Sequence, residues 1–457
     1  MFPSNTALPL PTRLTLRGGA AIAIVIALLA AVLSSALVLR AVREQPASNS
    51  YALVAQSLIE GRPDVPRCFD RDCAHRGGKT YVVFPPFPGV VAAPLVLLFG
   101  PEARGFVALA ILCLALSLLA WRDLARRAGL PGPLVLALIA ALAFASPLYY
   151  VTLHSDGIWF FAQALAFLLV SAAIREAVRG RLLTAGAALG AAMLCRQMSV
   201  FYAPVLLVLA LPPGERLLVP GRLGKRARQC VLLGAPLAAA VAAYFAYNAW
   251  RFGDPLDTGY ADIGFPAGIM AERVAAHGVW SLAYLPFNLF YLLFQGFHAE
   301  FAGTQRVALS GLDDAGTSVL AASPWLLYAA LAPLRRDLVV CLALVVGMAA
   351  ALLLYHSNGY SQYNAQRYAL DWLPAALLVL LAALRRLRGE LCPLLVAWAL
   401  ALNVATVATL ALTKGAEPHR DAVAWQLRPG LAEGSCADSP GQGCLIPPKP
   451  SSAGNGP

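Results

Sequence analysis

The apolar stretch Val82–Phe99 reads VVFPPFPGVVAAPLVLLF and decides how many times the chain crosses a membrane. It contains Pro85, Pro86, Pro88 and Pro94. Proline removes a backbone donor and clashes with the preceding helical turn, so four prolines this close together argue against a full helical span. We therefore predict that this stretch dips into the outer leaflet or lies on it without crossing.

The composition of the whole chain is that of a polytopic membrane protein. Of its 457 residues, 59% are hydrophobic and 13% are charged, and the mean hydropathy is +0.66. Soluble domains carry about 25% charged residues, which excludes the soluble, disordered, collagen-like and small disulfide-rich classes. The net charge of +11 does not indicate nucleic-acid binding, because the basic residues cluster at the ends of apolar runs and form no continuous stripe.

Apolar runs recur along the rest of the chain. With a window of about 20 residues, they predict an all-α membrane bundle of about eleven transmembrane helices. The runs lie at 20–39, 103–121, 132–150, 157–174, 182–195, 198–211, 229–249, 318–334, 338–355, 368–384 and 391–412. The first is too long for a signal-peptide core and predicts an uncleaved helix with a cytoplasmic N-terminus. Because the Pro-rich stretch does not cross, every short arginine-rich loop then faces the cytoplasm.

This topology predicts one transmembrane domain over residues 1–412. Its large outer loops are 40–102 and 250–317. The Gly- and Pro-rich tail, 413–457, is expected to be disordered and outside.

Two features of the outer regions carry structural predictions. Aromatic residues at helical spacing in Val279–Phe297 predict a membrane-surface helix, with a lipid-tail groove as the alternative. Cys68 with Cys73, and Cys436 with Cys444, are local pairs that could close disulfides in an oxidising compartment. Zinc at the first pair is the alternative, although its ligand set is incomplete.

The first outer loop has a readable local structure. Apolar residues recur at a helical period over Tyr51–Ile59, and Gly61 follows as a stop signal. Gly77 and Gly78 predict a turn.

The same loop carries the first candidate site residues. The chain has no phosphate-binding Gly-rich loop, HExxH motif or G-x-S-x-G motif, so any chemistry must come from polar groups near the outer face. Asp70 or Asp72 could act as a general base on an acceptor hydroxyl, and Lys79 could hold a phosphate. The alternative is that both acids are solvated and balanced by neighbouring arginines. His154 and Asp156, at an outer helix end, predict a helix cap more readily than catalysis.

Three motifs resemble those of the GT-C class of polytopic glycosyltransferases. The likeness is to bacterial relatives of protein O-mannosyltransferases and lipid A aminoarabinose transferases, in which the first loop reads D-x-A, G-K-x-Y and FPP-x-P. The matching segments are DCA (72–74), GKTY (78–81) and FPPFP (84–88), then NAWRFGDP (248–255) with TGY (258–260), then SQYNAQRY (361–368) with Asp371 and Pro374. The chain departs from the pattern at Asn49-Ser50, where many members have an acid, and at Asn364 or Ala365 in place of a glycine.

The resemblance implies transfer of a sugar from a polyprenyl-phosphate donor to a hydroxyl acceptor of the envelope. Transfer would occur at the outer face of the cytoplasmic membrane, with inversion, without a cofactor or a metal, and without nucleic acid as a partner. Membrane lipid would surround the protein. The implied roles are general base for Asp72 or Asp70, donor-phosphate binding for Arg367, Arg196 and Lys79, and acceptor or sugar contact for Tyr81, Gln362, Tyr368 and His298.

Simpler readings of these residues remain open from the sequence. Arg196 interrupts an apolar run and could snorkel to the interface, and Arg367 could pair with Asp371 along one helix. A lipid or solute transporter, or a non-catalytic factor in polysaccharide assembly, is the alternative function. No internal repeat relates the two halves, which argues against the transporter.

Overall fold

The computed structural model describes residues 16–70, 72–211, 215, 220–263, 269–302, 304–313, 315–357, 366–387 and 393–413. It is mainly α-helical. The helices are α1 Leu16–Val42, α2 Tyr51–Ile59, α3 Phe87–Phe99, α4 Phe106–Arg127, α5 Gly132–Phe144, α6 Pro147–Leu153, α7 Ile158–Val178, α8 Leu182–Met193, α9 Ala203–Leu209, α10 Leu223–Phe252, α11 Ile269–His277, α12 Leu285–Leu289, α13 Val319–Ala322, α14 Arg336–Leu353, α15 Leu373–Leu387 and α16 Pro393–Thr413.

Short helical segments of other types extend or connect these helices. The 3₁₀ segments are Gln197–Tyr202, Pro220–Arg222, Tyr260–Asp262, Leu282–Tyr284, Pro324–Leu331 and Arg367–Asp371, and a π-helical turn is Phe290–Phe294.

Among the described residues, six helices are long and apolar enough to cross a membrane: α1, α4, α7, α10, α14 and α16. The bent pair α5 and α6, which meet at 48°, makes a seventh if counted as one span. The protein is therefore a multi-pass membrane protein. The predicted spans at 182–195, 198–211, 318–334 and 368–384 contain shorter helices. A 3₁₀ segment opens the second and the fourth, and prolines interrupt the second and the third. The count of eleven stays a prediction.

The Pro-rich stretch does form a helix, but a short one. Helix α3 has 13 residues, which makes it about 20 Å long, less than the roughly 30 Å of bilayer hydrocarbon. Pro88 stands in its first turn and Pro94 inside it. The helix packs against α2, where a Cβ at Gly89 would lie 2.6 Å from Val54 Cγ1.

Helices α8 and α10 pack closely against each other. A Cβ on Gly186 would lie 2.3 Å from the backbone oxygen of Leu233, and one on Gly190 would lie 2.9 Å from Ala240 Cβ. The spacing Gly-x-x-x-Gly lets two backbones approach where lipid provides no hydrophobic drive between helices.

Two short antiparallel hairpins add to the predicted all-α architecture. In the first, β1 Cys73–Arg76 pairs with β2 Lys79–Val82 through the turn at Gly77 and Gly78, both at positive φ. In the second, β3 Ala299–Ala302 pairs with β4 Ala308–Leu312. Period-2 runs of four or five residues are too short to be recognised beside long apolar helices.

Long-range polar contacts gather at one end of the bundle, which the topology prediction places outside. The end of α1 meets the α6–α7 turn there, where Arg40 forms an ion pair with Asp156. Glu44 accepts hydrogen bonds from the backbone N–H groups of Phe106 and Val107 at the start of α4. At the opposite end, the last turns of α4 and α7 are joined by other ion pairs.

Candidate active site

Asp70 is held where the chain enters helix α2. Ser50 Oγ accepts hydrogen bonds from the backbone N–H groups of Phe69 (3.1 Å) and Asp70 (3.2 Å). The Ser50 N–H donates in return to the Asp70 carboxylate at 3.1 Å. The buried Asp70 carboxylate thus lies beside Ser50.

A disulfide closes the segment that holds both predicted acids. Cys68 and Cys73 are bonded, with their Cα atoms 6.3 Å apart, as the sequence suggested. The second suggested pair, Cys436 and Cys444, lies outside the described residues, and so does Arg71 between the two acids.

Asp72 has the electrostatic character of a general base. Burial, followed by the negative charge of Asp70, raises the pKa of Asp72 from 3.8 to about 7. A hydrogen bond from the Trp159 side chain and the positive charge of Arg367 act in the opposite direction. The carboxylate is half-buried, so it can still reach a substrate. A base with a pKa near the working pH is the most effective in proton transfer.

Arg367 is a buried cation surrounded mainly by aromatic rings. Its guanidinium lies 4.7 Å from the ring centre of Tyr368, 5.3 Å from Phe160 and 5.6 Å from Trp159. Its polar contacts are long: 3.5 Å to Gln163 Oε1 and 3.4 Å to the Tyr368 hydroxyl. Within the described parts of the chain it forms no ion pair with a carboxylate, and its Nε has no hydrogen-bond partner. The site can therefore accept an anion.

Arg196 is already neutralised. Its Nε and Nη2 donate to the two carboxylate oxygens of Asp371 at 2.7 and 2.6 Å. The sequence suggested Asp371 as an intrahelical partner for Arg367. In the structure Asp371 pairs instead with Arg196, which lies 175 residues earlier in the chain. The ring of Tyr368 lies between the two arginines, 5.5 Å from the Arg196 guanidinium.

The first hairpin separates Lys79 from this cluster. Lys79 stands beside the turn at the far end of the hairpin, is mostly exposed, and pairs with Asp64 at 3.4 Å. Tyr81 is buried and packs on Phe252, with ring centres 5.2 Å apart. Arg251 holds the other end of the hairpin by donating to the backbone oxygen of Val82.

His298 lies in a separate cleft of about 530 Å³. Asp313 forms one wall and accepts hydrogen bonds from the Tyr291 hydroxyl (2.8 Å) and Gln295 Nε2 (3.2 Å). His298 Nδ1 is 3.8 Å from the Asp313 carboxylate. Gln362, predicted to contact substrate, lies outside the described residues.

A metal site is not apparent in the part of the chain that the structure describes, since no three His, Cys, Asp or Glu side chains come together there.

Comparisons with known proteins return one structural similarity. No protein-family model matches the sequence, and no curated protein matches it. The crystal structure of ArnT from Cupriavidus metallidurans bound to undecaprenyl phosphate resembles this chain at 15% identity and a TM-score of 0.47. The match covers 90% of this chain and 70% of that one.

Sequence reasoning did not single out two polar residues near the site. Glu44 is buried and binds the first backbone N–H groups of α4, so it serves as a helix cap. Trp159 resembles any other apolar residue at the start of a span, but its side chain lies close enough to Asp72 to lower the pKa of that carboxyl group. Asp156, predicted as a cap, instead pairs with Arg40.

Proposed function

We propose that the protein transfers a sugar from a polyprenyl-phosphate donor to a hydroxyl acceptor at the outer face of the cytoplasmic membrane. One observation carries the proposal. A carboxylate with a pKa near 7 shares a site with a buried guanidinium that has no carboxylate partner within the described residues. The carboxylate, Asp72, suits removal of a proton, and the guanidinium, Arg367, suits binding of an anionic leaving group.

In the proposed reaction, Asp72 takes the proton of the acceptor hydroxyl while the acceptor oxygen attacks the anomeric carbon. The bond from that carbon to the phosphate oxygen breaks, and polyprenyl phosphate leaves with the bonding electron pair. The new glycosidic bond forms on the opposite face of the sugar, which inverts its configuration. Arg367 stabilises the phosphate charge through charge-assisted hydrogen bonds.

The neighbouring residues receive narrower roles. Asp70 supports Asp72 by raising its pKa. Arg196 contributes less to phosphate binding than Arg367, because Asp371 already balances its charge. Tyr368, in contact with both arginines, is placed to contact the sugar or the phosphate.

The remaining predicted contacts lie further out. The pairing of Lys79 with Asp64 at the hairpin tip suits a role at the entrance better than one in the reaction. Tyr81 is proposed to shape the site by holding the hairpin against Phe252. His298, which lies in its own cleft, is proposed to contact the acceptor. The topology prediction places these residues at the outer face, where the proposed donor and acceptor would both lie.

The test uses purified protein in lipid nanodiscs with two readouts. Binding of undecaprenyl phosphate is measured first, because it does not depend on knowing the sugar. Replacing Arg367 by Gln removes a charged hydrogen-bond donor and should weaken binding about 10- to 100-fold, since such bonds contribute about 1.5–3 kcal/mol. Arg335→Gln, at an exposed helix end, is the matched control and should bind normally.

The second readout is transfer of labelled sugar from a panel of polyprenyl-phosphate donors to envelope extract. Asp72→Asn should lower the rate about 10²- to 10⁴-fold, the usual contribution of a general base. Asp64→Asn, in the same loop but paired with Lys79 at the hairpin tip, should leave it unchanged. Wild-type protein that binds no undecaprenyl phosphate and transfers no sugar would contradict the proposal.

A further inference from the structure

The disulfide and the two acids belong to one small ring of chain. The Cys68–Cys73 bond closes a loop of six residues, and both Asp70 and Asp72 lie inside it. Any movement of this loop therefore moves the proposed base and its charged neighbour together.

Each end of the ring is anchored to a different part of the molecule. At one end, Ser50 Oγ binds the backbone N–H groups of Phe69 and Asp70, and Cys68 Sγ lies against the Asp70 backbone oxygen. At the other end, buried Cys73 pairs with Val82 in the hairpin, whose backbone oxygen accepts a hydrogen bond from Arg251. The disulfide joins the two anchors directly.

We propose that the Cys68–Cys73 disulfide is a positioning element for the proposed reaction, and that it holds Asp72 near Asp70 and Trp159. The inference rests on the proposed function for its catalytic meaning, but its geometry is independent of any sugar. Two like charges in one site repel, and an uncrosslinked loop regains the backbone freedom that folding removes. Without the bond, the Asp72 carboxylate is expected to move away from Asp70 and into water.

The direction in which the pKa of Asp72 should change, when the disulfide is lost, follows from the groups around it. Burial and Asp70 raise its pKa, whereas Arg367 and the Trp159 hydrogen bond lower it. Tyr260, whose hydroxyl is neutral near pH 7, also lies near Asp72. Release of the loop removes the two raising causes, so the pKa of Asp72 should fall towards the ordinary carboxyl range.

Trp159 supplies a readout that does not depend on catalysis. An indole this close to Asp72 should change its fluorescence when that carboxyl group titrates. The pH titration is recorded for wild type and for Trp159→Phe, and the difference isolates this one of the eight tryptophans. Oxidised wild type should show a transition near pH 7, and Asp72→Asn should lack it.

The disulfide is then removed in two ways. Folded wild type is reduced with a phosphine, and the double variant Cys68→Ser/Cys73→Ser is prepared separately. Both should remove the Trp159 transition near pH 7, either by moving it to lower pH by about one unit or more or by separating the indole from the Asp72 carboxyl group. Cys230→Ser, an exposed free cysteine of α10, is the control and should behave as wild type. Reduction of the folded protein keeps the test valid if the double variant does not fold.

The outcomes separate this inference from the proposed function. A transition that stays near pH 7 after reduction overturns the inference, whether or not transfer is lost. A transition that moves while sugar transfer falls at least tenfold supports both, since a weaker base is a poorer catalyst. A transition that moves in a protein that neither binds undecaprenyl phosphate nor transfers sugar supports the positioning role and contradicts the glycosyltransferase.

Discussion

Replacing Asp371 by Asn removes the charge that balances Arg196. The two side chains are joined by hydrogen bonds of 2.7 and 2.6 Å in a two-point fork. They are 20% and 8% exposed, so the substitution leaves a guanidinium largely buried without its counter-charge. Breaking a buried ion pair in this way costs about 3–5 kcal/mol. Because Arg196 keeps some access to solvent, we expect a loss of about 3 kcal/mol in the free energy of unfolding.

The reciprocal change should have a similar cost, and the two should not add. Arg196→Gln leaves the Asp371 carboxylate buried and unbalanced. Replacing both partners with apolar residues, Arg196→Met with Asp371→Leu, removes both charges and should cost less than either single change. The double-mutant cycle is therefore expected to give a coupling free energy of about 2–3 kcal/mol.

The assay is reversible unfolding in mixed detergent micelles, followed by circular dichroism as dodecyl sulfate is added. The matched control is Asp337→Asn. Its partner Arg335 also lies at 2.7 Å, but their side chains are 30% and 52% exposed, so the loss should stay within about 1 kcal/mol. If Asp371→Asn lowers the free energy of unfolding no more than Asp337→Asn does, burial does not strengthen the Arg196–Asp371 pair. The conclusion that Asp371 balances the charge of Arg196 is then wrong.

Three further predictions concern the reaction, the donor and the bundle. Transfer should fall about tenfold for each pH unit below 7, because Asp72 must be ionised to accept a proton and its pKa is about 7; a flat profile from pH 5 to 7 would exclude it as the base. Arg367→Lys should keep the charge but lose the forked geometry, giving donor affinity between wild type and Arg367→Gln in a binding titration. Gly186→Val should lower stability by at least about 2 kcal/mol, because its Cβ would collide with the Leu233 backbone, whereas Gly234→Val on α10, with open space around it, should unfold like wild type.

Several local features could be predicted from the sequence because they depend on neighbouring residues. Helix α2 has the predicted bounds, Tyr51–Ile59, and Gly61 follows it at positive φ. The turn at Gly77 and Gly78 forms as expected. In each case a periodic pattern or a residue's own backbone preference decides the structure.

The candidate site could be predicted only in part. Asp72 and Arg367 were chosen from motifs, but nothing in the spacing of the chain shows that they share a site. The sequence allows either snorkelling or anion binding for Arg196, and the structure gives it Asp371 instead. Trp159 could not be found at all, because its apolar neighbours hide a role that only its contact with Asp72 gives it.

The sequence by itself determined that the chain is a membrane protein, where its long apolar helices lie and which outer loop carries the acids. Those properties follow from composition and from periods of a few residues, since lipid requires long apolar helices with satisfied backbones. Tertiary structure alone decided which charges meet: Arg196 with Asp371 and Arg40 with Asp156. Those pairs depend on how segments more than a hundred residues apart in the chain pack against one another, which no local pattern specifies.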